Sequence, residues 1–451
     1  MAGADITRFA EDRRGERANL FLIAASGALA ALADGILLPL LLPVVFVSAL
    51  TDSYLAIAAV PAIAGGLWAV PQLAAGSMIR GRGRKLPWAT GAAIVRAATI
   101  GLLAVVGFRA ERLSDDELLR AFFICYLSYT VAAGLAAALG DEVARRSLPA
   151  GRGEALFRVR GLWGGGLAFL AGLAAARTLG DAGPGFPDNV ARLFALAATA
   201  LGSAVLLQAL IREPGRLGAM GSAVAPRFSL DAWLEPLTNP TVRRFLTVRL
   251  VLALAAIADP FYVVYGLREL DLELTAIGYF LAALVGARLL AGPLWSFGLR
   301  RRGSRTVLQL AGLCRLLVPL VALLLPYLAE TELYRERVTD ARVTSALFGL
   351  VFAVYGLALA GLSAGSFAFL LDAVSPPERS HTFALTNLLL GAVALVPFAG
   401  ALLVEAYSFE TVFLAATLAT LTGIFLTGAL PDTNVRVRTG AAAWRLRRAR
   451  P

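Results

Sequence analysis

The chain has 451 residues, of which 58% are hydrophobic and 16% are charged, and its formal net charge is +11. Soluble globular domains carry roughly 25% charged residues, so the composition excludes an ordinary soluble protein and predicts a polytopic membrane protein. All but one of the 42 basic residues are arginines, placed in short clusters between apolar stretches. This pattern indicates membrane topology rather than binding to nucleic acid.

Cysteine and histidine are too scarce to build several kinds of site. Cys125 and Cys314 both lie within apolar stretches, and His381 is the only histidine. A disulfide framework and a Cys/His metal site are therefore excluded. We expect no cofactor and no enzymatic activity, because no nucleophile and base occur in a convincing arrangement.

Apolar stretches of roughly 20 residues or more, each long enough to cross a bilayer, recur along the chain. They predict an all-α polytopic membrane protein with twelve transmembrane helices. We number these spans 1 to 12, at 20–46, 53–78, 88–108, 117–140, 156–178, 190–211, 243–266, 274–298, 305–327, 343–371, 382–404 and 408–430.

The distribution of basic residues predicts the orientation of the chain. A cytoplasmic amino terminus places 29 arginines and lysines on the inside and eight on the outside, as the positive-inside rule requires. We therefore expect a multi-pass protein of a bacterial cytoplasmic (inner) membrane, with both termini in the cytoplasm.

A polar segment rich in glycine and proline divides the spans six and six. The predicted organisation is a cytoplasmic N-tail at 1–19, a first half at 20–211, a linker at 212–242, a second half at 243–430 and a basic cytoplasmic C-tail at 431–451. The linker is interpreted as a flexible connector, with a short interfacial helix around Leu234 and Leu237 as the alternative.

The two halves repeat each other in sequence. AALAD, ending at Asp34 in span 1, recurs as AAIAD, ending at Asp259 in span 7, 225 residues later. QLAAGSM from Gln72 recurs in degenerate form as RLLAGPL from Arg288, and P-x-x-R recurs in the loops after spans 4 and 10. Matches in the same order at a nearly constant offset predict two parallel-repeated six-helix halves.

The loop after span 2, GSMIRGRGRK, resembles the major facilitator superfamily pattern G-x-L-a-D-r-x-G-r-k at Gly76, Gly83, Arg84 and Lys85. VPQL in span 2 and SPPER after span 10 also resemble a bacterial branch of that superfamily. The resemblance implies a secondary transporter with its substrate site between two six-helix halves.

One position departs from the family pattern. Arg80 stands where the loop normally carries a carboxylate that helps to latch the cytoplasmic side. The loop should therefore depend on acidic groups elsewhere, and we expect these to be Asp141 or Glu142 at the end of span 4.

Two carboxylates lie near the middle of the membrane. Asp34 and Asp259 are roughly 21–24 Å from the cytoplasmic ends of spans 1 and 7 at 1.5 Å per residue. Because an ionisable group there is costly and usually functional, we expect at least one of them to bind a proton or a cationic group of the substrate. Structural pairing with a buried arginine is the alternative.

Several further residues could contact substrate. Arg288 and Gln72 are candidates for binding an anionic or polar group. Arg96 and Arg315, at corresponding depths in spans 3 and 9, are interpreted as buried charges that pair with carboxylates at the cytoplasmic ends, such as Asp141, Glu142 and Asp372. Aromatic residues within spans, including Tyr129 and Tyr355, are expected to pack rather than to bind ligand.

The predicted function is secondary active transport of a small molecule by alternating access, coupled to protons, in a monomer. Efflux of a hydrophobic or cationic compound is slightly favoured over uptake, because the spans supply an apolar, aromatic cavity and two carboxylates. The competing hypothesis is a non-transporting membrane receptor or assembly partner that retains the transporter fold.

Overall fold

The structure is a computed structural model that describes residues 2–78, 83–148, 153–180, 183–213, 234–331, 341–375 and 378–431. Within these residues all regular secondary structure is helical. The longer helices are Ala2–Ile36, Leu42–Leu50, Tyr54–Ala62, Trp68–Met78, Leu86–Gly107, Asp115–Ser147, Gly153–Leu179, Asp188–Ala209, Pro240–Ala253, Phe261–Arg268, Thr275–Glu330, Ala341–Ala373, Arg379–Ala392, Val396–Ala406 and Phe409–Thr427.

Eleven helical stretches in the described residues are long and apolar enough to cross a membrane. One of them, Thr275–Leu328, has 54 residues and would be about 80 Å long at 1.5 Å per residue, whereas a bilayer core is only about 30 Å thick. Its helix is interrupted at Gly303, which has φ 82° and ψ 172°. The stretch therefore supplies both span 8 and span 9, and the all-α polytopic fold is confirmed.

Three spans contain short segments of altered helix. Span 2 includes a π-helical segment, Ile63–Leu67, span 7 a 3₁₀ segment, Leu254–Ala258, and span 11 a 3₁₀ segment, Val393–Leu395. The second of these precedes Pro260. Proline lacks an N–H group and its ring clashes with the carbonyl four residues earlier, so it disturbs the α-helical hydrogen-bond pattern before this point.

The chain divides into two compact units. Unit 1 comprises Met1–Ser222 and Val263–Val285, and unit 2 comprises Ala223–Tyr262 and Gly286–Pro451. Most of each predicted half falls in one unit, but a segment containing the end of span 7 and the start of span 8 belongs to unit 1. The domain boundaries derived from the sequence remain a prediction.

Small residues allow close helix packing inside unit 1. A Cβ atom added to Gly172 in span 5 would lie 2.6 Å from the backbone nitrogen of Ala282 in span 8. A Cβ atom added to Gly278 would collide with the backbone of Ala176. Spans 5 and 8 therefore touch backbone to backbone, in the manner of small-residue interfaces in membranes.

Unit 2 has an apolar core where spans 7, 8, 9 and 10 meet. Phe245 and Phe369 are fully buried there and stack with ring centroids 5.0 Å apart. Trp295 anchors span 8 in this core, because its indole N–H donates to the carbonyl of Leu357 at 3.0 Å. This core fixes the rotation of span 8, which carries Arg288.

Candidate functional site

In unit 1, Asp34 belongs to a polar triad built from three different spans. The Arg96 guanidinium of span 3 forms an ion pair with Oδ1 of Asp34 in span 1. The hydroxyl of Tyr129 in span 4 donates to the same oxygen at 2.7 Å, and Arg96 donates to that hydroxyl at 3.2 Å. No described residue forms a hydrogen bond with the second carboxylate oxygen, Oδ2.

Unit 2 contains a triad of the same residue types. Arg315 of span 9 forms an ion pair with Oδ1 of Asp259 in span 7, and the hydroxyl of Tyr355 in span 10 donates to Oδ2 at 2.6 Å. The guanidinium carbon of Arg315 lies 4.7 Å from the centroid of the Tyr355 ring. Both carboxylate oxygens of Asp259 are therefore occupied.

The two triads differ sharply in exposure. The Asp34 side chain is 51% exposed and its partner Arg96 is 12% exposed. The Asp259 side chain is 10% exposed and Arg315 is 4% exposed. Because a charged group within a span faces a bundle interior or a water-filled space rather than lipid, Asp34 is the carboxylate that water can reach.

The helix break in span 7 explains an additional contact in unit 2. In an α-helix the N–H of Asp259 would bond to the carbonyl of Ala255, but here it bonds to Ala256 at 3.1 Å. The carbonyl of Ala255 accepts a hydrogen bond from Arg315 at 2.9 Å. The 3₁₀ segment before Pro260 thus supplies a second acceptor for the buried guanidinium.

The partners predicted for Arg96 and Arg315 were wrong. Both arginines bind the mid-membrane carboxylates and not the acidic residues at the cytoplasmic ends. Tyr129 and Tyr355 were expected to pack, but their hydroxyls complete the triads. The two tyrosines are 226 residues apart in the sequence, close to the 225-residue offset of the aspartates, and this repeat spacing was the signal that could have identified them.

The end of the loop after span 2 contacts an acidic residue that the sequence did not single out. The backbone N–H groups of Lys85 and Leu86 donate to the carboxylate of Glu213 at 2.8–2.9 Å. Glu213 is 2% exposed, and Arg146 of span 4 approaches it at 4.0 Å. A carboxylate at this position satisfies the N-terminus of the span 3 helix and its positive dipole end.

Asp141 and Glu142 have other partners. Glu142 pairs with Arg145 and Arg146 on its own helix at 2.8 Å, and Asp141 lies 3.5 Å from Arg160 of span 5. The other loop candidates have separate positions. The carbonyl of Gly83 accepts a 3.5 Å hydrogen bond from Arg146, and Arg84 is exposed. Gly76 lies in the helix Trp68–Met78, while Arg80 lies outside the described residues.

The two remaining candidate residues, Gln72 and Arg288, differ in their contacts. The amide of Gln72 donates to the carbonyl of Trp68 at 3.2 Å and so is engaged within its own helix. Arg288 is exposed, and no hydrogen bond or ion pair joins it to any described residue. Arg288 is thus a cation in the middle of span 8 that lacks a protein counterion in the described part of the chain.

Comparisons with known proteins identify the fold. No protein-family model matches the sequence, and a search of curated proteins finds no match. Among solved structures, nucleoside transporter NupG is similar with a TM-score of 0.66 and 16% identity, covering 91% of this chain and 98% of the other. A POT family transporter in complex with 5-aminolevulinic acid has a TM-score of 0.65 and 12% identity, covering 91% and 96%.

The human organic anion transporter MFSD10 (TETRAN) is similar as well, with a TM-score of 0.55 and 16% identity over 91% of this chain and 99% of the other. All three named structures are membrane transporters. The similarity extends over nearly the full length of both chains. This chain therefore has the fold of the major facilitator superfamily transporters, as its loop motif and internal repeat predicted.

Proposed function

We propose that this protein is a secondary active transporter that moves a small molecule across the cytoplasmic membrane by alternating access, coupled to protons through Asp34. The observation that carries the proposal is the open triad of unit 1. Its carboxylate is half exposed, and one of its oxygens has no partner in the described residues. A mid-membrane carboxylate that water reaches is suited to take up and release a proton.

Protonation of Asp34 would change the charge of the whole triad. In the ionised state the carboxylate balances Arg96, and neutralising it leaves the guanidinium without a counterion. Because an uncompensated charge in the membrane is costly, the protonated and ionised states favour different arrangements of the surrounding helices. This coupling between protonation and helix arrangement is what an alternating-access cycle requires.

Asp259 serves a different role in this proposal. Its two oxygens are bound by Arg315 and Tyr355, and the site is nearly closed to water. We assign this triad to structural pairing that holds spans 7, 9 and 10 together. The sequence left two roles open for these carboxylates. The proposal assigns proton coupling to Asp34 and structural pairing to Asp259.

The test uses purified protein in proteoliposomes containing a pH-sensitive dye. Candidate substrates are added under an imposed pH gradient, and both substrate accumulation and proton flux are recorded. Asp34→Asn removes ionisation while keeping size and hydrogen bonding, so it should abolish gradient-driven accumulation and retain substrate exchange. Arg300→Gln, at the cytoplasmic end of span 8, is the matched control and should behave as wild type.

Two results would contradict the proposal. Full proton-driven transport by Asp34→Asn would remove the coupling role from this residue. Substrate binding without exchange or net movement by the wild-type protein would favour the alternative, a receptor that retains the transporter fold. The same vesicles also measure the direction of transport. Both carboxylates pair with arginine and so are not free to bind a cationic substrate, which removes the main sequence argument for export of a cation.

A further inference from the structure

Span 8 has one face that packs and one that does not. Tyr279, Leu290, Leu294 and Phe297 are all more than half exposed, and at 100° per residue they lie on one side of the helix. Arg288 precedes Leu290 by two residues and so points roughly 200° away from this apolar face. The side chain is therefore directed away from the lipid-facing side of span 8.

Arg288 is exposed although several neighbours on the same face are buried. Leu281 and Leu284, two turns and one turn before it, are 2% exposed, and Ala291 and Trp295, one and two turns after it, are 1% and 5% exposed. The packing of this face is thus open at Arg288 and at Gly292, one turn later. The opening lies about 13 residues, or roughly 20 Å, from the start of the helix at Thr275, which places it near the middle of the membrane.

The charges in the described spans do not balance. Asp34 and Asp259 are each neutralised by an arginine of their own unit, which leaves Arg288 without a carboxylate. Arg249 of span 7 also forms no ion pair with a described residue, and its Nε atom is buried without a hydrogen-bond partner. The membrane strongly disfavours uncompensated charge, so an arginine within a span that lacks a protein counterion is suited to bind an anion.

We propose that the substrate is a small organic anion, and that Arg288 binds its carboxylate or phosphate group. Calling this anion a substrate rests on the proposed transport function, whereas the anion site itself requires only residues of unit 2. A guanidinium binds carboxylate and phosphate groups through paired, charge-assisted hydrogen bonds. The bound anion supplies the counterion that the described residues lack.

The experiment measures the potential beside Arg288 without requiring transport. Gly292 lies one turn after Arg288, is exposed, and has no heavy atom within 4 Å of an added Cβ. Gly292→Cys is therefore introduced in full-length protein whose two native cysteines are replaced by alanine. The protein is labelled with an anionic methanethiosulfonate reagent bearing a sulfonate and with its cationic counterpart bearing a trimethylammonium group.

We expect the anionic reagent to react faster than the cationic one when both rates are normalised to free cysteine. Arg288→Gln should lower this ratio by about 10-fold, as expected for the loss of one charge at close range in a partly dehydrated site. Arg288→Lys should retain the ratio, and Arg300→Gln is the matched control that removes a charge outside the membrane. A normalised ratio near one in the Gly292→Cys protein overturns the proposal even without the arginine variants.

A second arm tests binding by protection from labelling. Succinate, benzoate and inorganic phosphate are compared with succinamide, benzamide and benzylammonium. At least one anion should slow the labelling of Gly292→Cys, and Arg288→Gln should raise its half-protecting concentration by 10-fold or more. Protection only by the neutral or cationic compounds, or by none of the panel, contradicts the inference. Proton-driven transport of a cation would refute the anionic substrate and leave the proposed transporter function intact.

Discussion

The same three residue types form two sites with different properties, because of the surroundings of each carboxylate. Asp34 shares one oxygen between Arg96 and Tyr129 and is open to water, whereas Asp259 uses both oxygens in a nearly closed site. An ion pair cut off from water is strongly destabilised when one partner is removed. A pair that water reaches loses less, because water partly replaces the missing group.

This contrast gives a stability prediction. Asp259→Asn leaves the Arg315 guanidinium buried without a counterion and should lower the free energy of unfolding by about 3–5 kcal/mol. Asp34→Asn also leaves Arg96 without its counterion but should cost less than Asp259→Asn, because water reaches the unit 1 triad. Thermal unfolding of the purified proteins in the same detergent measures both. Equal losses in the two variants would contradict the assigned difference in exposure.

A charge-balanced double variant separates lost charge from lost packing. Asp259→Asn combined with Arg315→Gln removes both charges of the buried pair. The double variant should be more stable than Asp259→Asn alone, because it no longer contains an unpaired buried charge. If adding Arg315→Gln lowers the melting temperature further, the ion pair is not the source of the effect.

At the scale of the helices, the N-terminus of span 3 depends on a residue from the end of span 6. Glu213 accepts hydrogen bonds from the backbone of Lys85 and Leu86 in a site that water hardly reaches. Sequence reasoning did not find this residue, because the contact joins positions 127–128 residues apart. The family pattern directed attention to carboxylates near the loop and not to the last turn before the linker.

Removing this cap should be measurable. Glu213→Gln loses the negative charge that complements the helix dipole and one of two acceptor oxygens, and should cost about 1–2 kcal/mol in the free energy of unfolding. Faster amide hydrogen exchange is expected at 83–88. Glu142→Gln is the control, since it breaks only exposed pairs on its own helix. A larger loss of stability in Glu142→Gln than in Glu213→Gln would show that the cap at span 3 is not the dominant contact.

Two glycines on span 8 provide another matched comparison. Gly278→Ala places a methyl group against the backbone of Ala176 and should destabilise unit 1 by about 1–3 kcal/mol or more, since backbone atoms cannot move aside cheaply. Gly292→Ala meets nothing within 4 Å and should gain up to about 1 kcal/mol from higher helix propensity. Similar melting temperatures for the two variants would exclude the close contact between spans 5 and 8.

At the scale of the whole molecule, the sequence predicted what depends on composition and missed what depends on helix rotation. Long apolar runs identified the spans, and the repeat identified Asp34 and Asp259 as corresponding positions. The partners of Arg96 and Arg315 could not be derived, because apolar runs do not show which way a side chain points. The continuous helix up to Gly303 was also missed, since the charged residues 300–302 suggested a loop although arginine is a good helix former.

The composition of the compact units leads to a final prediction about assembly. Val263–Val285 groups with the first six spans, and Gly278 within it packs against the backbone of span 5. A fragment ending in the linker at 212–242 lacks this segment and exposes the small-residue surface of span 5 around Gly172. We therefore expect residues 1–222 expressed alone to be degraded or aggregated.

Co-expression with residues 223–451 should restore a folded complex, because the second fragment supplies the missing segment. Copurification through a tag on one fragment and a melting curve of the complex measure this rescue. Gly278→Val in the second fragment should abolish it, since the larger side chain blocks the approach to Ala176, whereas Gly292→Val should permit it because the added Cβ meets nothing within 4 Å. A stable, monodisperse first fragment without its partner would show that the six-span half folds independently, and the contact of span 8 would then be a late docking step.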